Sequence, residues 1–293
     1  MSGGAEKAIE FFSKIRAYVD DKPASQRLVV DLVETEGLDL GAALALVAEF
    51  DRWQRLHYIL LVPETVGSWH PAIRRELNAL GFFRLLKTKL PAALKSAPGP
   101  AWIQFVSDTL TVGKAAKLLR GRLERELKGS TGYDHQIYVA LVEAMKNAFQ
   151  HAYPNDLKAI EFDPRIDKRW WMAASIDQSR RNIEVAFLDL GITIPGSLPF
   201  SWLWEHLTSE ARTGSDLDQI IEVLRYGHSR LGEPHRGKGF ANIIYPISLH
   251  KDNYMSILSG RGLCYVGHEK WFGVEMPERF AGTLIRWKLT LDR

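Results

Sequence analysis

The stretch "HQIYVALVEAMKNAFQHAYP", residues 135 to 154, limits what this chain can build more than any other. It reads as one helix, and most of it is apolar: Val139, Ala140, Leu141, Val142, Ala144, Met145 and Ala148. A helix that is apolar over so much of its surface packs against other elements. Yet Glu143, Asn147 and His151 recur at every fourth position, which puts them on one face, and Lys146 sits beside Asn147. The ordinary explanation of that spacing is a solvated helix face. The helix alone does not choose between that and a polar site let into a packed wall.

The bulk properties set the frame. A chain of 293 residues is long for one domain and comfortable for two. With 46% hydrophobic and 25% charged residues it has the composition of a globular protein with a real core. A net charge of +3 creates no field that calls for a nucleic-acid partner. The single cysteine, Cys264, excludes an internal disulfide framework and fits a reducing compartment. The opening "MSGGAEKAIEFFSKI" lacks the apolar core of a signal peptide, and no apolar run is long enough to span a bilayer. The expectation is a cytoplasmic protein with no membrane contact.

The first hundred residues have a strand–helix–strand–helix rhythm. Residues 5–19 suit an amphipathic helix with Ile9, Phe12, Ile15 and Val19 at helical spacing. "RLVVDL" (27–32) and "YILLV" (58–62) read as buried strands, with helical "LGAALALVAEFDRWQRL" between them. A further helix over 71–86 breaks at Gly81, and "PAALKSAPGPA" (91–101) reads as a boundary. Two helices follow, over 111–128 and 133–151. Then "KAIEFD" (158–163), "RWWMAASI" (169–176) and "NIEVAFLDL" (182–190) resemble successive antiparallel strands. Residues 197–235 look irregular, with one helix over 216–226, and "YMSILSG", "GLCYVG" and "GTLIRWKLTL" return to strands. Helices segregated from a mainly antiparallel sheet predict an α+β layer fold behind an α/β unit. No fixed-period repeat or low-complexity tract is present.

Three later stretches bear on the polar stripe. "LDLGITIP" (188–195) ends a strand on an acid, followed by a glycine and an apolar turn. "GHSRLGEPHRGKGFANI" (227–243) is a basic, glycine-rich loop that opens a helix, and "FAGTLIRWKL" (280–289) sets Gly282-Thr283 at the start of the last strand. In order and spacing these resemble the Bergerat-fold, or GHKL, ATPases, the group that unites gyrase, histidine kinases and MutL. Glu143, Asn147, Ala148, His151 and Ala152 resemble the N box of that family. Asp189, Gly191, Ile194 and Pro195 resemble its first glycine box, Arg236, Gly237, Lys238, Gly239 and Phe240 its second, and Gly282-Thr283 its last. The resemblance covers residues 105–293 and implies a two-layer Bergerat ATPase domain, a mainly antiparallel sheet covered by helices.

What the resemblance implies about chemistry is specific. ATP and Mg²⁺ are the expected cofactors. Asn147 is the expected magnesium ligand, because a hard cation that keeps several waters needs only one protein oxygen besides phosphate. Glu143, one turn earlier and about 6 Å away at Cβ, is the expected general base toward water. Asp189 is expected to accept a hydrogen bond from the adenine amino group, with Gly191, Ile194 and Thr283 around the base. Arg236, Gly237, Lys238 and Gly239 are expected to meet the phosphates through backbone N–H groups and charge. The chain departs from the pattern at Thr193, which stands where the first glycine box has a second glycine. A threonine there tolerates fewer backbone angles and adds a side chain near the base.

The subclass follows by elimination. None of His57, His70 or His135 has the setting of a phosphoacceptor on a dimerisation helix, and the lysine-donating domain of gyrase and MutL relatives is not expected after "KLTL". What remains resembles compact anti-sigma serine kinases and stand-alone bacterial ATPases. Residues 1–95, with "ILLVPE" and the "LNALGFFRLL" ending, resemble a STAS-type domain that lacks a serine at "GLDLGAA". The expected protein is an ATP-binding, Mg-dependent ATP-hydrolysing regulator with a nucleotide-gated lid over 197–239. Its STAS-like domain would dock a protein partner, and a homodimer is compatible with the resemblance. A protein serine kinase and a nucleotide-binding pseudoenzyme are the alternatives. Trp170, Trp171, Trp202 and Trp204 fit either a partner surface or core packing.

Overall fold

The computed structural model describes residues 2–20, 27–90, 100–109, 114–127, 133–153, 169–229 and 239–291. Helix α1 (Ser2–Asp20) leads to strand β1 (Arg27–Val30), helix α2 (Leu40–Leu56) and strand β2 (Leu60–Pro63). β1 and β2 form a two-stranded parallel sheet. Asp39 caps α2 by accepting from Ala42 N at 2.8 Å. Helix α3 (Pro71–Leu80) starts on a proline, whose fixed φ suits the first turn. It ends at Gly81, whose N–H donates to Leu77 O and Asn78 O from φ 97°. The short helix α4 (Phe82–Leu85) follows, so the break expected at Gly81 is present.

The rest of the described chain is built on a five-stranded antiparallel sheet. Strand β3 (Ala101–Asp108) precedes helices α5 (Lys114–Leu127) and α6 (Asp134–Asn147), and α6 continues into a π-helical turn over Ala148–Ala152. Strands β4 (Trp170–Asp177) and β5 (Asn182–Asp189) come next. Short helices α7 (Ile194–Ser197) and α8 (Ser209–Thr213), helix α9 (Asp216–Ser229) and helix α10 (Gly239–Ser248) lead to strands β6 (Tyr254–Gly267) and β7 (Trp271–Thr290). The sheet order is β3-β4-β5-β7-β6.

The sheet is covered on both sides. Trp170, Met172, Ile183, Val185, Phe187, Ile285 and Trp287 point into one core with Ile137, Leu141 and Met145 of α6 and Leu224 of α9. The alternate residues Trp171, Ala173, Ala186, Leu188 and Leu284 point into a second core with Leu44, Val47 and Phe50 of α2 and Leu77 of α3. Strands buried on both faces read as near-continuous apolar runs, which is why "WWMAASI" shows no polar alternation. Several polar groups at the second core are paired. Trp171 Nε1 donates to Asp51 Oδ2 at 3.0 Å, and Arg286 reaches Glu184 Oε1 at 2.8 Å and Asp39 Oδ2 at 2.9 Å.

Several expectations need correction. β3 was not foreseen; its alternation is broken by a register shift against β4 between Ile103 and Val106, which blurs the period of two. "YMSILSG" and "GLCYVG" are one strand, β6, bent at Gly260 (φ 62°). The last strand begins at Trp271, so Gly282-Thr283 lies within it rather than at its start. Residues 197–229 are more helical than expected and have a small core of their own around Leu198, Leu207, Ala211 and Val223. Turns of three to five residues are too short to show a helical period. The strand expected over 158–163 and most of the 91–101 boundary lie outside the described residues.

Gly282 sits at φ 97°, and a Cβ there would lie 2.0 Å from Asp189 O in the paired strand. Gly282→Ala is therefore expected to lower stability by about 2 kcal/mol or more. Gly121, in α5, has open space around its Cβ position. Gly121→Ala is expected to raise stability by about 0.5–1 kcal/mol. Urea unfolding of both variants checks the pair; equal effects would contradict the assigned backbone of β7.

Candidate functional site

At the end of β5 the chain must turn sharply against the end of α6. A Cβ on Gly191 would lie 2.3 Å from Ala152 O, so only glycine allows this approach. Ile192 N then donates to Ala152 O at 2.9 Å, and Leu190 N donates to the Tyr153 hydroxyl at 3.0 Å. The π-helical turn at the end of α6 sets Ala152 at that junction; such turns often occur beside functional sites. On the other side, β7 pairs Thr283 with Asp189. A cavity of about 670 Å³ opens here, between α6, the β5 turn, α9 and α10.

The cavity wall gathers residues from distant parts of the chain. Glu143, Asn147, Asp189, Ile194, Gly239 and Thr283 all line it. Gly191 supports the wall from behind rather than lining it. Arg236, Gly237 and Lys238 lie outside the described residues. The helix stripe is thus not a plain solvated face, since Glu143 and Asn147 border a half-open cleft. The position of a Cβ on Gly239 lies 3.5 Å from Asn147 Oδ1 and 3.7 Å from Glu143 Oε2, which sets the start of α10 directly beside both side chains. His151 stands at the exposed rim, where partial desolvation lowers its imidazole pKa.

The electrostatics of the wall differ from end to end. Lys146 Nζ donates to Glu143 Oε1 at 2.8 Å, so the Glu143 carboxylate has a cation beside it. Asp189 is buried, and desolvation pushes its carboxyl up to about 7, against the opposing pull of hydrogen bonds from the Gly191 and Thr283 backbone. A carboxylate has about four acceptor sites, and two amides leave part of that capacity turned to the cavity. Such an acid can accept a hydrogen bond from an amino group of a ligand. Among the described residues no group of three or more His, Cys, Asp or Glu side chains could hold a metal. A cation here would rest on Asn147 Oδ1 together with oxygens of a ligand, which is the way magnesium is held on phosphates.

Two participants were not legible beforehand. Ser259 of β6 is fully buried; its Oγ accepts from Ile194 N at 2.8 Å and lies 2.8 Å from Thr283 Oγ1. Arg279 of β7 donates from Nη2 to Thr193 Oγ1 at 3.0 Å. Both contacts depend on how β6 and β7 pair, which no local spacing reveals. Of the four tryptophans singled out, Trp170 and Trp171 are core residues on opposite sheet faces, while Trp202 is half exposed and lines the cavity. Trp204 packs beside the Arg212 guanidinium at 5.7 Å.

Comparison of the chain with protein-family models, with curated proteins and with solved structures gives no match to any of them. The site must therefore be read from its own geometry. Among the described residues, no helix is long and apolar enough to cross a membrane.

Burial of Asp189 gives a pH test. The unfolded side chain releases its proton near 4, and the folded one near 7. Between these values the folded state holds a proton that the unfolded chain has lost, so stability falls as pH rises, and the full cost remains above 7. Asp189→Asn removes the charge while keeping an acceptor for Gly191 N. It is expected to be more stable than the natural protein at pH 8 by a few kcal/mol, with the gap closing toward pH 4. Chemical unfolding at both pH values checks this, and a gap that is constant with pH would contradict it.

Proposed function

We propose that the chain is a Bergerat-type regulator that binds ATP with Mg²⁺ and hydrolyses it. One observation supports this above all. Residues 143, 147, 189, 194, 239 and 283, singled out by family resemblance alone, border one cavity although they come from four separate stretches. A cavity of about 670 Å³ falls within the usual range for small-molecule sites. In this reading Asp189 accepts from the adenine amino group, Ile194 and Phe187 flank the base, and Gly239 lets the phosphate chain pass over α6.

Asn147 Oδ1 is the protein oxygen that would hold magnesium, and the ion would neutralise phosphate charge. Glu143 is the base that takes a proton from the attacking water, and its position one turn before Asn147 sets it beside the same phosphates. The N-terminal unit, read as a STAS-like docking domain for a protein partner, packs on the opposite face of the sheet from α6. The lid of this reading is residues 197–239, which carry α8 and α9 and of which 230–238 lie outside the described residues.

A second reading is favoured by the Lys146 contact. An ammonium 2.8 Å from Glu143 competes with water for the carboxylate, as suits a nucleotide-binding regulator without turnover. The two readings separate in one experiment. Under the first, Glu143→Ala lowers steady-state ATP turnover by about 10²–10⁴-fold and leaves binding intact. Under the second, the natural protein binds ATP without turnover. Absence of ATP binding would remove both.

Metal dependence tests the other helix residue. Asn147→Ala is expected to abolish the gain in ATP affinity that Mg²⁺ brings, with little change in thermal stability because the side chain faces the cavity. Calorimetric titration with and without Mg²⁺ reads this directly. A magnesium effect of full size in the variant would place the metal elsewhere.

A further inference from the structure

We infer that Thr193 is a base-reading hydrogen-bond donor and that Arg279 is the positioning residue that makes it one. The inference rests on the nucleotide reading of the cavity and deepens it. Thr193 is 4% exposed and lines the cavity four residues beyond Asp189. Its backbone sits at φ 77°, ψ 163°, a region that β-branched residues avoid. Something must hold it there, and the contacts of its hydroxyl show what. Thr193 Oγ1 accepts from Gly196 N at 3.1 Å and from Arg279 Nη2 at 3.0 Å.

Those two contacts fix the polarity of the group. A hydroxyl oxygen has two lone pairs and one hydrogen. With both lone pairs taken by N–H donors, the hydroxyl can only donate, and no acceptor among the described residues takes that hydrogen. Arginine stays charged and has no acceptor, so the polarity cannot reverse with pH. Arg279 is itself held, since its Nη1 lies 3.4 Å from Asp216 Oδ2, which also accepts from Arg261 N at 2.8 Å. The guanidinium therefore braces Thr193 against the first residue of α9.

A fixed donor on the same cavity wall as the acceptor Asp189 defines what edge the wall reads. An amino group next to an unprotonated ring nitrogen offers a donor and then an acceptor, as adenine does. A 6-oxopurine such as hypoxanthine offers the reverse order and meets like with like. A glycine at this position has no hydroxyl to offer, whereas Thr193 has one. The side chain that departs from the family pattern thus becomes a determinant of selectivity, and Arg279 acts only through it.

Calorimetric titration with ADP, inosine diphosphate and inorganic tripolyphosphate tests this on the full chain. The variants are Thr193→Val, Thr193→Ser, Arg279→Met and the double variant Thr193→Val/Arg279→Met. The natural protein is expected to prefer ADP to inosine diphosphate. Thr193→Val and Arg279→Met are each expected to weaken ADP about tenfold, narrow that preference and leave tripolyphosphate unchanged, whereas Thr193→Ser keeps it. The double variant is expected to lose about tenfold again in total, because both changes remove one interaction. An additive loss of about a hundredfold, a loss shared equally by all three probes, or single variants that bind ADP like the natural protein overturns the inference. If Thr193→Val does not fold, Arg279→Met decides: a loss selective for ADP supports the inference and a uniform loss overturns it. Failure of the unmodified protein to bind ADP would overturn the cavity reading, and this inference with it.

Discussion

Trp170 and Trp171 are adjacent in sequence and lie in different cores. Successive side chains of a strand point to opposite faces, so a strand with large apolar groups at both positions cannot leave either face to water. β5 repeats the condition with Phe187 on one side and Leu188 on the other. Everything else in the described structure answers it. The helices α5, α6, α9 and α10 close one face, and α2 and α3 of the N-terminal unit close the other. Burial of α2 brings Glu49, Asp51 and Arg52 out of water, and each is tied to a partner. Glu49 takes Arg16 and Arg52, while Asp51 takes Trp171 and Arg55. An unpaired charge in that layer would cost several kcal/mol, and pairing removes most of the cost.

The same sheet decides where a site can exist. Side chains along β4 and β5 are occupied by packing, so chemistry is left to the strand end, where Asp189 meets the close of α6. Gly191 and Gly282 let two backbone segments approach that end more closely than any side chain would permit. The cavity is what remains between the strand end, the polar side of α6 and the start of α10. Glu143 and Asn147 are consequently on the one strip of α6 that does not face the apolar core, while Leu141, Ala144 and Met145 fill the remainder. This accounts for a carboxylate and a carboxamide on so apolar a helix.

Elements defined by local pattern were legible in the sequence. The run "NIEVAFLDL", the helix over 133–151 and the break at Gly81 depend on residues within a few positions, and each is present, the helix ending in a π-helical turn from Ala148. Glu143, Asn147, Asp189 and Thr283, each visible as a polar residue in a distinctive stretch, line one cavity. Less legible were features made by pairing. β3 is an edge strand with a bulge, and its pattern is interrupted where the register shifts. β7 runs through Pro277, Gly273 and Gly282, residues that usually mark ends of strands, because its first half pairs with the outer part of β6 as a hairpin. Arg279 and Ser259 reach the β5 turn only because of that pairing. Thr193 was visible as a departure, but its brace was not.

Asp189 is the residue whose presence folding does not explain. It is buried, and desolvation raises its carboxyl to about 7, so near neutral pH the protein carries the cost of a charge that no cation among the described residues offsets. Its two hydrogen bonds come from the backbone amides of Gly191 and Thr283, which a neutral amide oxygen could accept equally well. An asparagine would satisfy the same turn without the charge penalty. A group that weakens the fold and faces a cavity is what a recognition site requires: a strong acceptor, held rigid in low dielectric, where a charge-assisted hydrogen bond is worth most. Under the proposed nucleotide reading, the free energy lost on folding would be available on binding, because an amino group of the ligand would supply the donor that the protein withholds. The same logic applies to the strained turn at Thr193. Two unfavourable features stand four residues apart on one cavity wall, and strain collected in one place is what the proposed ligand-binding role of that wall would account for.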